Sequence, residues 1–138
     1  MRTTNYTQVF IQVAEGCPVE AAEVPAAGNK APTVASLQHE LLTSRPYALT
    51  SDDLLFEVHA VRRGVPDDAR AEEREAFFAK SQACLRASPL GKRYGWGLHH
   101  DEQSRVALVP LGSERYQALA NDSSIKQLKA MRSKRAPK

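Results

Sequence analysis

Two cysteines, four histidines and one tryptophan bound the chemistry open to this chain. The densest stretch is residues 84 to 100, which holds Cys84, Arg86, Lys92, Arg93, Tyr94, Trp96, His99 and His100. Cations beside Cys84 would favour its thiolate, the nucleophilic form. Cys84 is therefore the weak catalytic candidate, with His99 or His100 as helper. The competing reading, for Cys84 and for Cys17, is a buried and inert thiol. Ser88-Pro89 has the form of a helix cap followed by proline at the first helical position. Backbone N–H groups at that turn, with Arg86, Lys92 and Arg93 nearby, would suit an anion. Tyr94 and Trp96, two apart on an expected strand, would share one face and could stack on a base or sugar. The same two rings could instead belong to the core, with Gly95 and Gly97 allowing close packing.

Several motifs begin and then fail. His39-Glu40-Leu41-Leu42-Thr43 starts as a zinc-protease helix does, but Thr43 stands where the second histidine is needed. A thiolate phosphatase loop requires an arginine six residues after its cysteine, and Leu90 occupies that place. Ser123-Ser124-Ile125-Lys126 has the spacing of a serine–lysine pair but also of a helix cap. Gly91, Gly95 and Gly97 fit neither a phosphate-binding loop nor a dinucleotide fingerprint. Adjacent strand residues point to opposite faces, so His99 and His100 cannot share a metal. No cofactor and no metal site is expected.

Composition narrows the class. A chain of 138 residues, 42% hydrophobic and 25% charged, is expected to form a single domain with a real core. Its net charge of +3 is unevenly spread. Residues 124 to 138 carry six cations and no acid, which leaves thirteen cations against sixteen acids elsewhere. The body is mildly acidic, and only the tail, with Lys129, Arg132, Lys134 and Arg135, invites a phosphate backbone. That tail could equally be a solubilising end. Residues 1 to 132 read as the domain and 133 to 138 as a frayed basic extension. No apolar run approaches the length of a membrane span, and no secretory signal is visible. Two cysteines without an export signal point to a reducing cytoplasm.

The elements that must position these residues follow from punctuation and period. Residues 6 to 13 are rich in β-branched and aromatic side chains and read as a strand. Thr33 caps a helix over 33 to 44, stopped by Arg45-Pro46. Within its apolar stripe lies Gln38, either an edge residue reaching solvent or a pocket-lining amide. Thr50 and Gly64 bracket a second helix, although Leu54, Phe56, Val58 and Ala60 also alternate as a strand would. A third helix is expected over 67 to 82. Residues 94 to 100 and 105 to 111 read as a hairpin, with Pro110 marking an edge. Ser113 caps a helix to Ala120, and Ile125, Leu128 and Met131 suggest a last one. The expected fold is α+β: a small antiparallel sheet, made of the N-terminal strand and the C-terminal hairpin, with helices packed on one face.

Specific words run through the chain: Asn5-Tyr6, Phe10-Ile11-Gln12-Val13-Ala14-Glu15, Cys17-Pro18, Ala22-Glu23-Val24-Pro25, Pro46-Tyr47 and Thr50-Ser51-Asp52-Asp53. They continue with Phe77-Phe78-Ala79-Lys80, Cys84-Leu85-Arg86-Ala87-Ser88-Pro89-Leu90, Lys92-Arg93-Tyr94-Gly95-Trp96-Gly97 and Lys129-Ala130-Met131-Arg132-Ser133-Lys134-Arg135. On these words the chain resembles a family of small uncharacterised bacterial proteins classed as a domain of unknown function. The resemblance implies a bacterial single-domain protein and carries no activity with it. Three functions remain as expectations. One is a non-catalytic module binding an anionic ligand (a nucleotide, a phosphate-bearing molecule or nucleic acid) through Arg86, Lys92, Arg93, Tyr94, Trp96 and His99. The others are an enzyme using Cys84 and a structural protein forming a homodimer through a sheet edge.

Overall fold

The computed structural model describes residues 3–26 and 32–131. Strand β1 (Val9–Gln12) is followed by helices α1 (Val34–Ser44), α2 (Ser51–Arg63) and α3 (Arg70–Ala79), then the short α4 (Pro89–Arg93). Strands β2 (Trp96–His100) and β3 (Val106–Pro110), helix α5 (Glu114–Ala120) and strand β4 (Lys126–Lys129) complete the described chain. Short 3-10 turns at Asp67–Ala69 and Leu85–Ala87 lead into α3 and α4. No helix among the described residues is long and apolar enough to cross a membrane.

Hydroxyl caps start the helices where the sequence places them. Thr33 Oγ1 accepts from the Ser36 N–H while Ser36 Oγ accepts from the Thr33 N–H. Thr50 and Asp53 form the same reciprocal box at α2. Such caps satisfy donors that the helix itself cannot, and each is worth about 1 kcal/mol. Gly64, in the left-handed conformation, closes α2. Residues 53 to 63 are thus helix, and the strand-like alternation has a physical origin. Leu54 and Val58 pack into the main core, whereas Phe56 and Ala60 pack against Phe78 of α3. A helix buried on two sides imitates a period of two.

The sheet differs from the expected one. Its order is β3-β2-β1-β4, with β1–β2 and β2–β3 antiparallel and β1–β4 parallel. The segment expected as a last helix is instead this fourth strand. Ile125, Leu128 and Met131 are spaced as a helical stripe, yet Ile125 packs with Phe10 and Tyr116 while Leu128 packs with the opposite core. Met131 is half exposed. Residues three apart on a strand face opposite ways, and pairing with β1 decides the matter. Asp122 accepts from the Ser124 N–H and hydroxyl in a turn that leads into β4.

Helices also cover both faces of the sheet rather than one. Val9, Ile11, Leu98 and Val106 face α1 and α2. Phe10 and Val109 face α5, where Phe10 meets Tyr116 edge-on at 5.0 Å between ring centroids. Gly97 lies beneath this pair: a Cβ there would fall 2.7 Å from the Phe10 ring. Boundaries shift as well: the helix expected over 67 to 82 is a 3-10 turn at Asp67–Ala69 followed by α3, which ends at Ala79. β1 begins at Val9 because Gln8 is left-handed (φ 52°), and β2 begins at Trp96 because Tyr94 ends α4 and Gly95 turns the chain at φ 78°.

Candidate functional site

Gln38 is the residue from which a site can be built. It sits within the buried stripe of α1, beside Leu37 and Leu42, and is 2% exposed. A buried amide needs partners for both ends. Its Oε1 accepts from the Ser88 hydroxyl at 2.6 Å. Ser88 is itself the cap of α4, accepting from the Leu90 N–H at 3.2 Å, and Pro89 fills the first helical position as the sequence indicates. The other end of the amide, Nε2, has no partner among the described residues.

Gln38 lines a groove of about 520 Å³ between α1 and α2, a volume typical of small-molecule sites. Val34, Leu55, Val58 and Phe77 make its walls apolar. Arg62 and Arg63, from the last turn of α2, stand at its rim. Neither arginine side chain has a partner among the described residues, although both are cations able to bind a carboxylate or phosphate bidentately. The other charges of α2 are engaged: Glu57 with Arg70, Asp53 with Arg74, and His59 with Glu73 at 2.9 Å. These pairs fasten α3 to α2 and leave the arginines of the rim available.

A second constellation lies on the α5 side of the sheet. The Tyr47 hydroxyl is 2.6 Å from His99 Nδ1, and the guanidinium of Arg115 donates to that hydroxyl. Burial, and next the charge of Arg115, hold the His99 pKa below its ordinary value. Gln8, Tyr47 and Ser104 are the non-glycine residues with positive φ among those described, and all three belong to segments framing this corner.

The residues singled out from the sequence are dispersed. Arg86 closes the free edge of β4: its Nε donates to the Lys129 carbonyl at 2.8 Å and its own carbonyl accepts from the Met131 N–H. Lys92 and Arg93 form the last turn of α4, where cations complement the helix dipole. Tyr94 caps that helix and does not share a strand face with Trp96. Trp96 Nε1 donates to the Glu23 carbonyl at 2.7 Å, and its ring stands edge-on to His39. His99 lies on the face opposite Trp96, because β2 alternates. Lys129 pairs with Glu15 at 2.9 Å. Arg132, Lys134 and Arg135 lie outside the described residues.

Cys84 is half-buried and accepts a hydrogen bond from the Tyr6 hydroxyl at 3.1 Å. Burial and then this bond push the Tyr6 pKa up to about 12. The Tyr6 ring also meets His100 edge-on, so His100, not His99, lies on the side of Cys84. His100 is completely buried, and neither ring nitrogen has a partner among the described residues. No group of three metal-ligating side chains is present among the described residues.

Sequence reasoning reached Gln38, His99 and the Ser88 cap. It missed Arg62 and Arg63, whose place at a helix C-terminus looks like ordinary dipole compensation. Tyr47 and Arg115 gave no local signal, since their partners are distant in the chain.

Fold and groove together define a small α+β protein built on a mixed four-stranded sheet with helices on both faces. The chain belongs to DUF6157, a family of unknown function whose sequence profile matches residues 1–136. The family resemblance read from the sequence therefore holds over nearly the whole chain. No curated protein and no solved structure matches it.

Proposed function

We propose that this protein is a non-catalytic module that binds a small anionic ligand with an apolar body, held in the groove between α1 and α2. The observation that carries the reading is the Gln38 amide, buried, fixed at its oxygen by Ser88 and left with an open NH2 at the groove. The Nε2 group is not sealed from water, so a ligand oxygen would take the place of solvent on a donor whose direction Ser88 already fixes. Arg62 and Arg63 supply the charge complement and Val34, Leu55, Val58 and Phe77 the apolar contact. His59, the imidazole lining the groove, is already committed to Glu73, so the reading is binding rather than catalysis. The anionic character expected from the sequence is kept, while the apolar body of the ligand and the residues that hold it are different. Two free thiols, Cys17 and Cys84, support a reducing compartment such as the cytoplasm.

Calorimetric titration with octanoate and with octanol tests this. Octanoate is expected to bind saturably, with octanol at least about tenfold weaker, the worth of one charge-assisted contact. Replacing Arg62→Ala and Arg63→Ala together should abolish the difference. Equal affinity for acid and alcohol, or no saturable binding of either, would overturn the reading.

A further inference from the structure

Charge and amide stand at different depths in the groove between α1 and α2. Residues 45 to 50 turn the chain back between the two helices. Pro32 and Val34, at the start of α1, therefore share one end of the groove with Val61, Arg62 and Arg63, from the last turn of α2. Gln38 lines the same groove one turn further along α1. On α2, Val58 and Leu55 line it one and two turns back from the arginines. A helix rises about 1.5 Å per residue, so Gln38 stands ~6 Å inboard of Val34, away from the end that carries the cations.

The two kinds of donor ask for different acceptors. Arg62 and Arg63 have no partner among the described residues, and no carboxylate is among the described lining residues, so the anion of a ligand belongs at that end. The Gln38 oxygen is taken by Ser88, which leaves the amide as a donor only. Its Nε2 has no partner among the described residues and is not sealed from water. His59, the other polar side chain of the inner half, is held by Glu73 through Nε2. Around Gln38 the described lining is otherwise apolar: Val34, Leu55, Val58 and Phe77. A plain alkyl chain lying there would strip water from the NH2 and return nothing, whereas an acceptor at that depth would replace the water.

We propose that the ligand of this groove is an amphipathic acid with a carbonyl oxygen about one helical turn inboard of its anion and an alkyl chain beyond it. The anion sits at Arg62 and Arg63, the carbonyl accepts from Gln38 Nε2–H, and the chain lies against Leu55, Val58 and Phe77. The proposal rests on the anionic-ligand reading of the groove and adds a second oxygen, in a set position, to what that reading requires. A simple fatty acid carries the charge and the chain but leaves the Gln38 donor empty.

Calorimetric titration of the full chain with decanoate, 5-oxodecanoate and 9-oxodecanoate tests this. The three acids share charge and chain length and differ in one oxygen and its place. 5-Oxodecanoate is expected to bind about two- to tenfold more tightly than decanoate, the scale of one neutral hydrogen bond. 9-Oxodecanoate, with the same oxygen at the far end, should show no such gain. Gln38→Met should remove the advantage of 5-oxodecanoate and leave the affinity for decanoate unchanged. In the wild-type chain the side-chain NH2 resonances of Gln38 should move downfield with 5-oxodecanoate and not with decanoate, which reads the contact without a substitution. Saturable binding of decanoate with no advantage for 5-oxodecanoate, or with an equal advantage for 9-oxodecanoate, would overturn this proposal and leave the anionic-ligand reading standing. No saturable binding of any of the three would overturn both.

Discussion

Ser88 donates to the amide oxygen of Gln38 across 2.6 Å, joining α4 to the middle of α1. Both residues are buried, and the bond decides which way the amide points. With the oxygen held, the NH2 is left without a partner among the described residues.

Ser88→Ala should therefore do two things. It removes the cap of the Leu90 N–H and leaves the Gln38 oxygen without a donor, for a combined cost of about 2–3 kcal/mol. Urea unfolding should show a lower midpoint with an unchanged slope. An unchanged midpoint would mean that the amide finds another donor and is not fixed.

His100 makes the protein sensitive to mild acid. Burial, then its neighbour His99, lowers the His100 pKa from 6.5 to about 4. The folded state thus holds His100 neutral, while the unfolded chain protonates it near 6.5. The associated stability is complete above pH 6.5 and is lost as the pH falls from there to about 4, with a magnitude of up to about 3 kcal/mol. His100→Leu removes two orphaned polar atoms. It should flatten that part of the stability profile while leaving stability at pH 7 equal or higher. A steep loss between pH 6.5 and 4 that survives the substitution would assign the effect to other groups.

Gly97→Ala tests the aromatic pair over β2. The added methyl would meet the Phe10 ring at 2.7 Å and Tyr116 at 3.0 Å, and Tyr116 cannot withdraw freely because its hydroxyl accepts from the Val13 N–H. Overpacking of this kind costs about 1–3 kcal/mol. The expected readout is a lower unfolding temperature with an altered near-ultraviolet circular dichroism signal. Wild-type values for both would show that Phe10 moves aside without cost.

Arg86→Ala separates a structural from a ligand-binding role for that cation. Its Nε reaches the Lys129 carbonyl at the open edge of β4. Loss of the side chain should speed amide hydrogen exchange at Ala130, whose N–H bonds to the Gln12 carbonyl, by about tenfold or less for a bond worth about 1 kcal/mol. Exchange that stays at the wild-type rate would free Arg86 for another role.

The helices were legible because their signals are local. Thr33, Thr50 and Ser113 cap where a hydroxyl precedes an apolar period, and Gly64 ends α2 where a left-handed residue is needed. The hairpin of β2 and β3 was legible for the same reason. β4 was not, since the apolar residues at 125, 128 and 131, in and beside this short strand, carry a helical spacing, and only a distant partner decides its conformation. Of the site, Gln38 was visible as a polar residue in an apolar stripe. The Tyr47–His99 contact spans 52 positions, and no pattern along the chain announces it. Tyr94 and Trp96 misled because Gly95 turns the chain between them.

Gln12 and Gln127 hydrogen-bond side chain to side chain across 115 positions, where β4 completes the sheet beside β1. During synthesis, Val9, Phe10 and Ile11 emerge early with no fourth strand to shield their flank. They stay that way until Lys126–Lys129 leaves the ribosome. A holdase chaperone is therefore expected to recognise the β1 segment while β4 is still unmade. Ribosome-bound chains arrested just before Lys126 should cross-link to such a chaperone through the β1 segment, and chains long enough to free β4 should not. Equal cross-linking at both lengths would show that the sheet is shielded without its last strand.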